Sequence, residues 1–581
     1  MSQKSKTDEH KLQPTPLDLA LKQIRPAIVT AFVIGFFVTL FSFAGSLYMI
    51  QVYERALGSR NITTLVVLTM IVVFILIVDA VLHGLRDAMM RRAAVAVDHQ
   101  IAGPLFEQVH RAILAQDRTD AQATMADLGR LRSFIGGSAF GAMTEFLYVP
   151  IFFVVLYLFH PLLAALVAVG AAFVAILTWV SSVATQEASR HESSSATEAG
   201  ELVGNLFRNF ETVQALGMRR ALRDRWLMSH TESLGWSVTS DKRAAIFTVL
   251  INFLKHAVQT LALGLTAYLV IQGQVSPAVI FAASVIVGRT FGPVAAIISN
   301  WRAITGARES YTRIQALFHD LQTNENVLAL PTPAGRLTLE GVAIAPPGAA
   351  MNKAVLNGVT IDLPAGSVLA AIGPSAAGKT TLLKTIIGVW RPLVGEVRID
   401  GSALTQWDDE SLGQHMGYLA PEVDLFPGTV AQNIARFRNV PDADIIEAAK
   451  RAFVHEMILQ LPDGYNTMIN KRGGGLSSGQ RQRIGLARAL FGNPRIIVLD
   501  EPNANLDAAG ENNLMQTIRT LRSEGRTVVF VTHKVSLVQV ADYVLVLGGG
   551  GVREFGPRDK VMQKITEPKL VSTTPRAAQA S

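Results

Sequence analysis

Eight consecutive residues, Gly373-Pro374-Ser375-Ala376-Ala377-Gly378-Lys379-Thr380, set two glycines, a lysine and a hydroxyl in the order that a phosphate-cradling loop requires. In such a loop the amides point inward at phosphate, Lys379 neutralises the β- and γ-phosphates, and the Thr380 hydroxyl ligates magnesium. A helix opening at Thr380 and Thr381 adds its positive end to the same anion site. Residues 368–372, just before the loop, form a short apolar strand. A second apolar strand, residues 495–500, ends in Asp500, placed to reach magnesium through water, and Glu501 follows as the group to align and activate a water. A third, residues 527–531, leads to His533, which at a parallel-strand end contacts the γ-phosphate and Glu501. A glycine turn, a solvated strand-end acid or a structural histidine would each explain one of these features alone. Their fixed order points to one chemistry, hydrolysis of ATP with Mg2+.

Leu476-Ser477-Ser478-Gly479-Gln480 runs straight into an amphipathic helix from Arg481 to Leu490. Ser477, the Gly479 amide and Gln480 therefore sit at a helix N-terminus, where an anion is favoured. A helix cap alone would account for Ser477. The run has no evident role in a lone ATPase, but it makes sense if it closes over nucleotide held by a second copy of the chain.

The elements that position these residues are only part of the chain. At 581 residues there is room for several domains, and 49% hydrophobic with 17% charged residues is too apolar for an ordinary soluble protein. The apolar excess precedes residue 300. Residues 27–53 carry no charged side chain and exceed the roughly 20 residues that span a bilayer. Residues 63–82, 146–159, 162–183, 244–271 and 277–298 make six spans, with 143–159 interrupted by Glu145 and Pro150. Short connections at 54–62 and 272–276 alternate with long Arg-rich ones at 83–140 and 184–243, which places the long loops and both termini in the cytoplasm. Asp79, Lys255 and His256 lie in or beside apolar segments, where they either pack toward protein or water or serve substrate or protons. There is no cysteine, so disulfides, thiolate metal sites and thiol nucleophiles are excluded. The +7 net charge is scattered through the loops, which fits anionic lipid and orientation in the bilayer rather than nucleic acid.

The four motifs together resemble the nucleotide-binding domain of ATP-binding-cassette (ABC) proteins, and the six spans resemble an ABC exporter. The resemblance implies a membrane α-helical, six-helix transmembrane domain fused to an α/β P-loop NTPase nucleotide-binding domain. It also implies a homodimer with two ATP sites at its interface. Ala504-Asn505-Leu506-Asp507 matches the family's D-loop. Two departures stand out. The glutamine that joins the nucleotide site to the membrane domain falls on Pro421, so either Glu422 substitutes for it or that link is missing; and Ala345-Pro346-Pro347-Gly348 lacks the adenine-stacking aromatic. Ser478 for glycine is milder. Residues 46–55, 207–218 and 300–302 look like type I secretion ATPases, specifically the protease, lipase and haemophore exporter branch without an N-terminal peptidase domain.

This implies an inner-membrane exporter of unfolded protein with a C-terminal signal, working with a periplasmic membrane-fusion adaptor and an outer-membrane channel protein. A lipid or small-molecule exporter and a non-transporting ATP-switched scaffold or sensor are the alternatives. The expected map is 1–26 cytoplasmic, 27–305 transmembrane, 306–335 linker, 336–562 nucleotide-binding and 563–581 disordered tail.

Overall fold

Residues 62–82 hold one charge, Asp79, and their helix has no reason to stop at the bilayer edge: Ile62–Leu114 runs 53 residues. That is about 80 Å at 1.5 Å per residue, against a hydrocarbon core of roughly 30 Å. Pro161–Arg208 and Arg219–Ile271 are similarly long. The computed structural model describes residues 14–114, 121–320, 330–346, 354–470 and 475–566. By internal contacts it divides into two units, residues 1–109 with 120–320, and residues 321–581 with 110–119.

Among the described residues of the first unit, six stretches are long and apolar enough to cross a membrane: Pro16–Leu57, Ile62–Leu114, Ser138–Phe159, Pro161–Arg208, Arg219–Ile271 and Val279–Ile297. They coincide with the six expected spans, and most of the Arg-rich connections are continuations of the helices. The first span begins well before residue 27 because Thr15 caps it: the Thr15 hydroxyl accepts from the Asp18 amide at 3.2 Å and the Asp18 carboxylate accepts from the Thr15 amide at 3.1 Å. A π-helical turn, Val52–Leu57, ends it. The third span breaks into Ser138–Phe146 and Val149–Phe159, with Pro150 in the first turn of the second piece, where its missing N–H costs nothing. Glu145 is answered by the buried Arg86, 3.2 Å away. Phe152, Leu156, Val167, Val258, Ile286 and Phe291 form the core among these spans. Gly170 allows the closest approach, since a Cβ there would lie 2.6 Å from Val258 Cγ2.

Residues 306–320, expected to begin a linker, instead continue the helix Trp301–Asp320. The reason is an ion pair to a buried carboxylate. Asp127, 1% exposed on Ala121–Ile135, accepts from Arg313 Nε at 2.7 Å, Arg313 Nη2 at 2.8 Å and Ser310 Oγ at 2.8 Å. Of the rest of the expected linker, 321–329 lie outside the described residues, as do 1–13 and 567–581 of the expected N-terminal segment and tail, whereas 563–566, expected in the disordered tail, complete the helix Arg558–Thr566.

The second unit contains β1 (Leu337–Ile344), β2 (Leu356–Leu363), β3 (Val368–Ile372), β4 (Val394–Ile399), β5 (Ser402–Ala403), β6 (Met416–Leu419), β7 (Gly428–Thr429), β8 (Met468–Ile469), β9 (Ile496–Asp500), β10 (Thr527–Val531), β11 (Tyr543–Gly548) and β12 (Gly551–Pro557). One sheet is antiparallel, in the order β2-β1-β4-β5; β7 pairs with β8; the main sheet runs β12-β11-β3-β10-β9-β6 and is parallel from β11 to β6. Its strands are apolar on both faces because both are covered. Val368, Ala370, Ile497, Leu499, Val528 and Phe530 serve one core, and Leu369, Ala371, Ile496, Val498, Val529 and Val531 the other. Val531 pairs with both Ala371 and Asp500, so β3, β9 and β10 end level with one another. Ligands of such sheets bind outside level carboxyl ends of this kind.

Candidate functional site

β3 delivers the chain to Gly373, where a Cβ would stand 2.5 Å from the Leu547 carbonyl oxygen. Ala376 (φ 63°) and Gly378 (φ 89°) are left-handed, and Gly378 caps the helix Lys379–Ile386. Pro374, Ser375 and Ala376 are exposed on the outer curve, whereas Ala377, Gly378 and Lys379 are buried. Lys379, only 6% exposed, donates from Nζ to the carbonyls of Gly373 at 2.8 Å and Pro374 at 3.0 Å. The ammonium thus closes the loop on itself. Burial pushes its pKa below the usual value, against the pull of Glu501 and Asp500. Thr380 and Thr381 follow in the first turn of the helix.

Asp500 is fully buried, and neither carboxylate oxygen has a hydrogen-bond partner. Burial first, then the Glu501 charge, push its carboxyl above the ordinary range, while the nearby Thr380 hydroxyl, Lys384 and Lys379 pull the other way. Thr380 is close enough for that influence without meeting hydrogen-bond geometry. An unpartnered buried carboxylate is costly, so its oxygens call for a cation. Together with the Thr380 hydroxyl they supply the hard oxygen donors that suit magnesium.

Glu501 leaves β9 in a left-handed conformation (φ 47°), uncommon for a non-glycine residue and concentrated at functional sites. Its Oε1 lies 3.5 Å from His533 Nε2, both side chains partly exposed to the crevice. Lys379, Thr380, Asp500, Glu501 and His533 therefore converge at the level strand ends. That arrangement can bind a triphosphate, hold a divalent cation and orient a water.

Ser477 and Gln480 cap one another: the Gln480 amide donates to Ser477 Oγ at 3.2 Å and the Ser477 amide to Gln480 Oε1 at 2.8 Å, opening the helix Ser478–Leu490. Gly479 is required here because a Cβ would sit 2.9 Å from the Asn505 carbonyl oxygen. Among the described residues no hydrogen bond or ion pair joins Ser477, Gly479 or Gln480 to the loop 373–380. Asp507 caps the helix Ala508–Ser523 and meets Arg483 at 3.0 Å.

Two contributors were not singled out from sequence. Gln482, 2% exposed, donates to the carbonyls of Glu501 at 3.2 Å and Pro502 at 2.9 Å and accepts from the Asn505 amide at 3.0 Å. Tyr418, on β6, has its phenol pushed up to about 12 by burial and then by the Asp500 charge. Beyond β6, Pro421 is half-buried and Glu422 is exposed. Pro347 and Gly348 lie outside the described residues. Of the charges in apolar segments, Asp79 has a buried Oδ1 without a partner, Lys255 is half-buried, and the exposed His256 turns Nδ1 to the Asn252 carbonyl at 2.7 Å.

Residues 356–504 match the family described as ABC transporter, and residues 28–294 the family described as ABC transporter transmembrane region. The chain is 37% identical over 559 residues to the type I secretion system ATP-binding protein PrsD of Rhizobium meliloti, covering 95% of each protein. It is 28% identical over 556 residues to the exotoxin translocation ATP-binding protein PaxB of Pasteurella aerogenes, covering 94% of this chain and 77% of that one. A solved bacterial Atm1-family ABC exporter with ATP bound matches with a TM-score of 0.81 over 96% of this chain and 99% of that one; at 20% identity this speaks for the fold alone. With six spans preceding a phosphate loop and a buried strand-end acid, the chain belongs to the ABC transporter family, among the ATP-binding proteins of type I secretion systems.

Proposed function

We propose that this chain, as a homodimer in the bacterial inner membrane, hydrolyses ATP to export unfolded protein bearing a C-terminal signal. It would be assembled with a periplasmic membrane-fusion adaptor and an outer-membrane channel protein. Residues 27–305 form the membrane domain and residues 336–562 the cytoplasmic nucleotide-binding domain. The observation that carries the chemistry is the convergence of Lys379, Thr380, Asp500, Glu501 and His533 at three level strand ends.

The amides of Gly373, Pro374, Ser375, Ala376, Ala377 and Gly378 and the first turn at Thr380 and Thr381 cradle the phosphates. Lys379 exchanges its carbonyl partners for the β- and γ-phosphates. Thr380 and, through water, Asp500 would hold magnesium, which when bound would neutralise the charge that builds on the phosphate oxygens. Glu501 orients a water and takes its proton as the water oxygen bonds to the γ-phosphorus and the bond to the β–γ bridging oxygen breaks; ADP and phosphate leave. His533 steadies Glu501 and contacts the γ-phosphate. Ser477, Gly479 and Gln480 face nucleotide on the second copy. In support, each chain has one such set, and among the described residues no hydrogen bond or ion pair joins it to the chain's own loop.

The test is ATPase activity in nanodiscs. Glu501→Gln should bind ATP normally and lose hydrolysis by about 10²–10⁴-fold, the usual worth of a general base; full activity would remove Glu501 from that role. Stimulation by the C-terminal segment of a secreted protein supports protein export, whereas stimulation by lipid alone favours a lipid exporter.

A further inference from the structure

We infer that Gln482 is a positioning residue for hydrolysis, fixing the backbone from Glu501 to Asn505 and through it the Glu501 carboxylate. The inference rests on the reading of Glu501 as the base. Gln482 sits in the second turn of Ser478–Leu490, yet three of the four hydrogen bonds that its side-chain amide can make reach one distant loop. The two Nε2 hydrogens go to the carbonyls of Glu501 and Pro502, and Oε1 takes the Asn505 amide. The loop it holds needs holding. Glu501 is left-handed, a conformation that persists only when its surroundings over-determine it, and Pro502 has no N–H with which to fasten the turn. A second tether acts from the opposite side, where the Thr532 hydroxyl meets Asn503 Oδ1 at 3.2 Å, next to His533.

The same amide therefore joins two parts of one chain: the helix whose N-terminus carries Ser477 and Gly479, and the acid proposed to activate water. Any displacement of that helix end is passed to Glu501 through Gln482. A displacement of the reacting geometry by an ångström is enough to cost on the order of 100-fold in rate.

Gln482→Met keeps the length and bulk of the side chain but removes all three bonds. In the full-length protein in nanodiscs, kcat should fall about 10- to 100-fold, with KM and equilibrium affinity for ATP within about twofold and the melting temperature near wild type. If Met impairs folding, Gln482→Asn serves instead, since it keeps the amide but is too short to span Glu501 and Asn505, and the same split is expected. In the Glu501→Gln background, Gln482→Met should change residual single-turnover hydrolysis by less than about twofold, because it acts through the missing group. An unchanged kcat would overturn the inference. So would a loss of kcat matched by losses of ATP affinity and melting temperature, or one that multiplies with the loss from Glu501→Gln. Wild-type hydrolysis by Glu501→Gln alone would instead overturn the assignment of the base.

Discussion

The candidate site is an arrangement of few atoms whose electrostatics can be tested singly. Lys379→Ala removes charge-assisted bonds worth about 1.5–3 kcal/mol, so ATP affinity should fall roughly 10- to 100-fold in equilibrium binding. Asp500 offers a pH test. Its carboxyl is held above the ordinary range by burial, so protons compete with magnesium for it to higher pH than at a free carboxylate. The Mg2+ concentration for half-maximal activity should therefore be higher at pH 5 than at pH 7; equal values would contradict the placement. The stability sign follows from the same shift. A raised folded pKa makes this group's contribution full below 3.8 and lost as pH rises through the folded value, so Asp500→Asn should raise the melting temperature of nucleotide-free protein at pH 7. The placement of Gly373, Lys379, Asp500 and Glu501 at strand ends was legible because it depends on local backbone and on neighbours in sequence. Gln482 was not, because its partners lie 19 to 23 residues away. Its one signal was a polar residue in line with Gly485, Leu486 and Ala489 on a buried helix face.

Among elements, the helix Trp301–Asp320 depends on Asp127. Burial would raise the Asp127 pKa, but hydrogen bonds from Arg313 and Ser310 and the charges of Arg313 and Arg130 more than offset it, and the net shift is downward. The stability it contributes is present above 3.8 and lost as pH falls through the depressed value. Arg313→Ala should lower thermal stability by about 1–3 kcal/mol by stranding the carboxylate, and should flatten the acid limb of the melting curve below pH 4. Close packing gives a second test at this scale. Gly170→Ala presses a methyl against Val258 and should cost about 1–3 kcal/mol by overpacking. The spans were readable because a run such as 63–82 is apolar throughout, and Pro150 marked a real break. The lengths were not readable: beyond Leu82 the helix Ile62–Leu114 turns polar, so hydropathy falls silent while the backbone continues. The helical residues 306–320 escaped notice for a related reason, since the bond that orders them joins residues 186 apart.

For the whole molecule, six spans and one nucleotide-binding unit in a chain similar over its length to a type I secretion ATP-binding protein make coupled protein export the central claim. Pro421 stands where the family's glutamine joins the nucleotide site to the membrane domain, which puts the weight on how the state of the site reaches the membrane spans. The measurement that bears on this most directly is the set of proteins released by cells whose only copy is wild type, Lys379→Ala or Glu501→Gln, with each variant present in the inner membrane at equal amounts. The expected result is the loss of one or more specific proteins from the medium in both variants, with the same proteins retained in the cytoplasm, their C-terminal segments intact. An unchanged set of released proteins would contradict export and favour a lipid exporter or an ATP-switched scaffold.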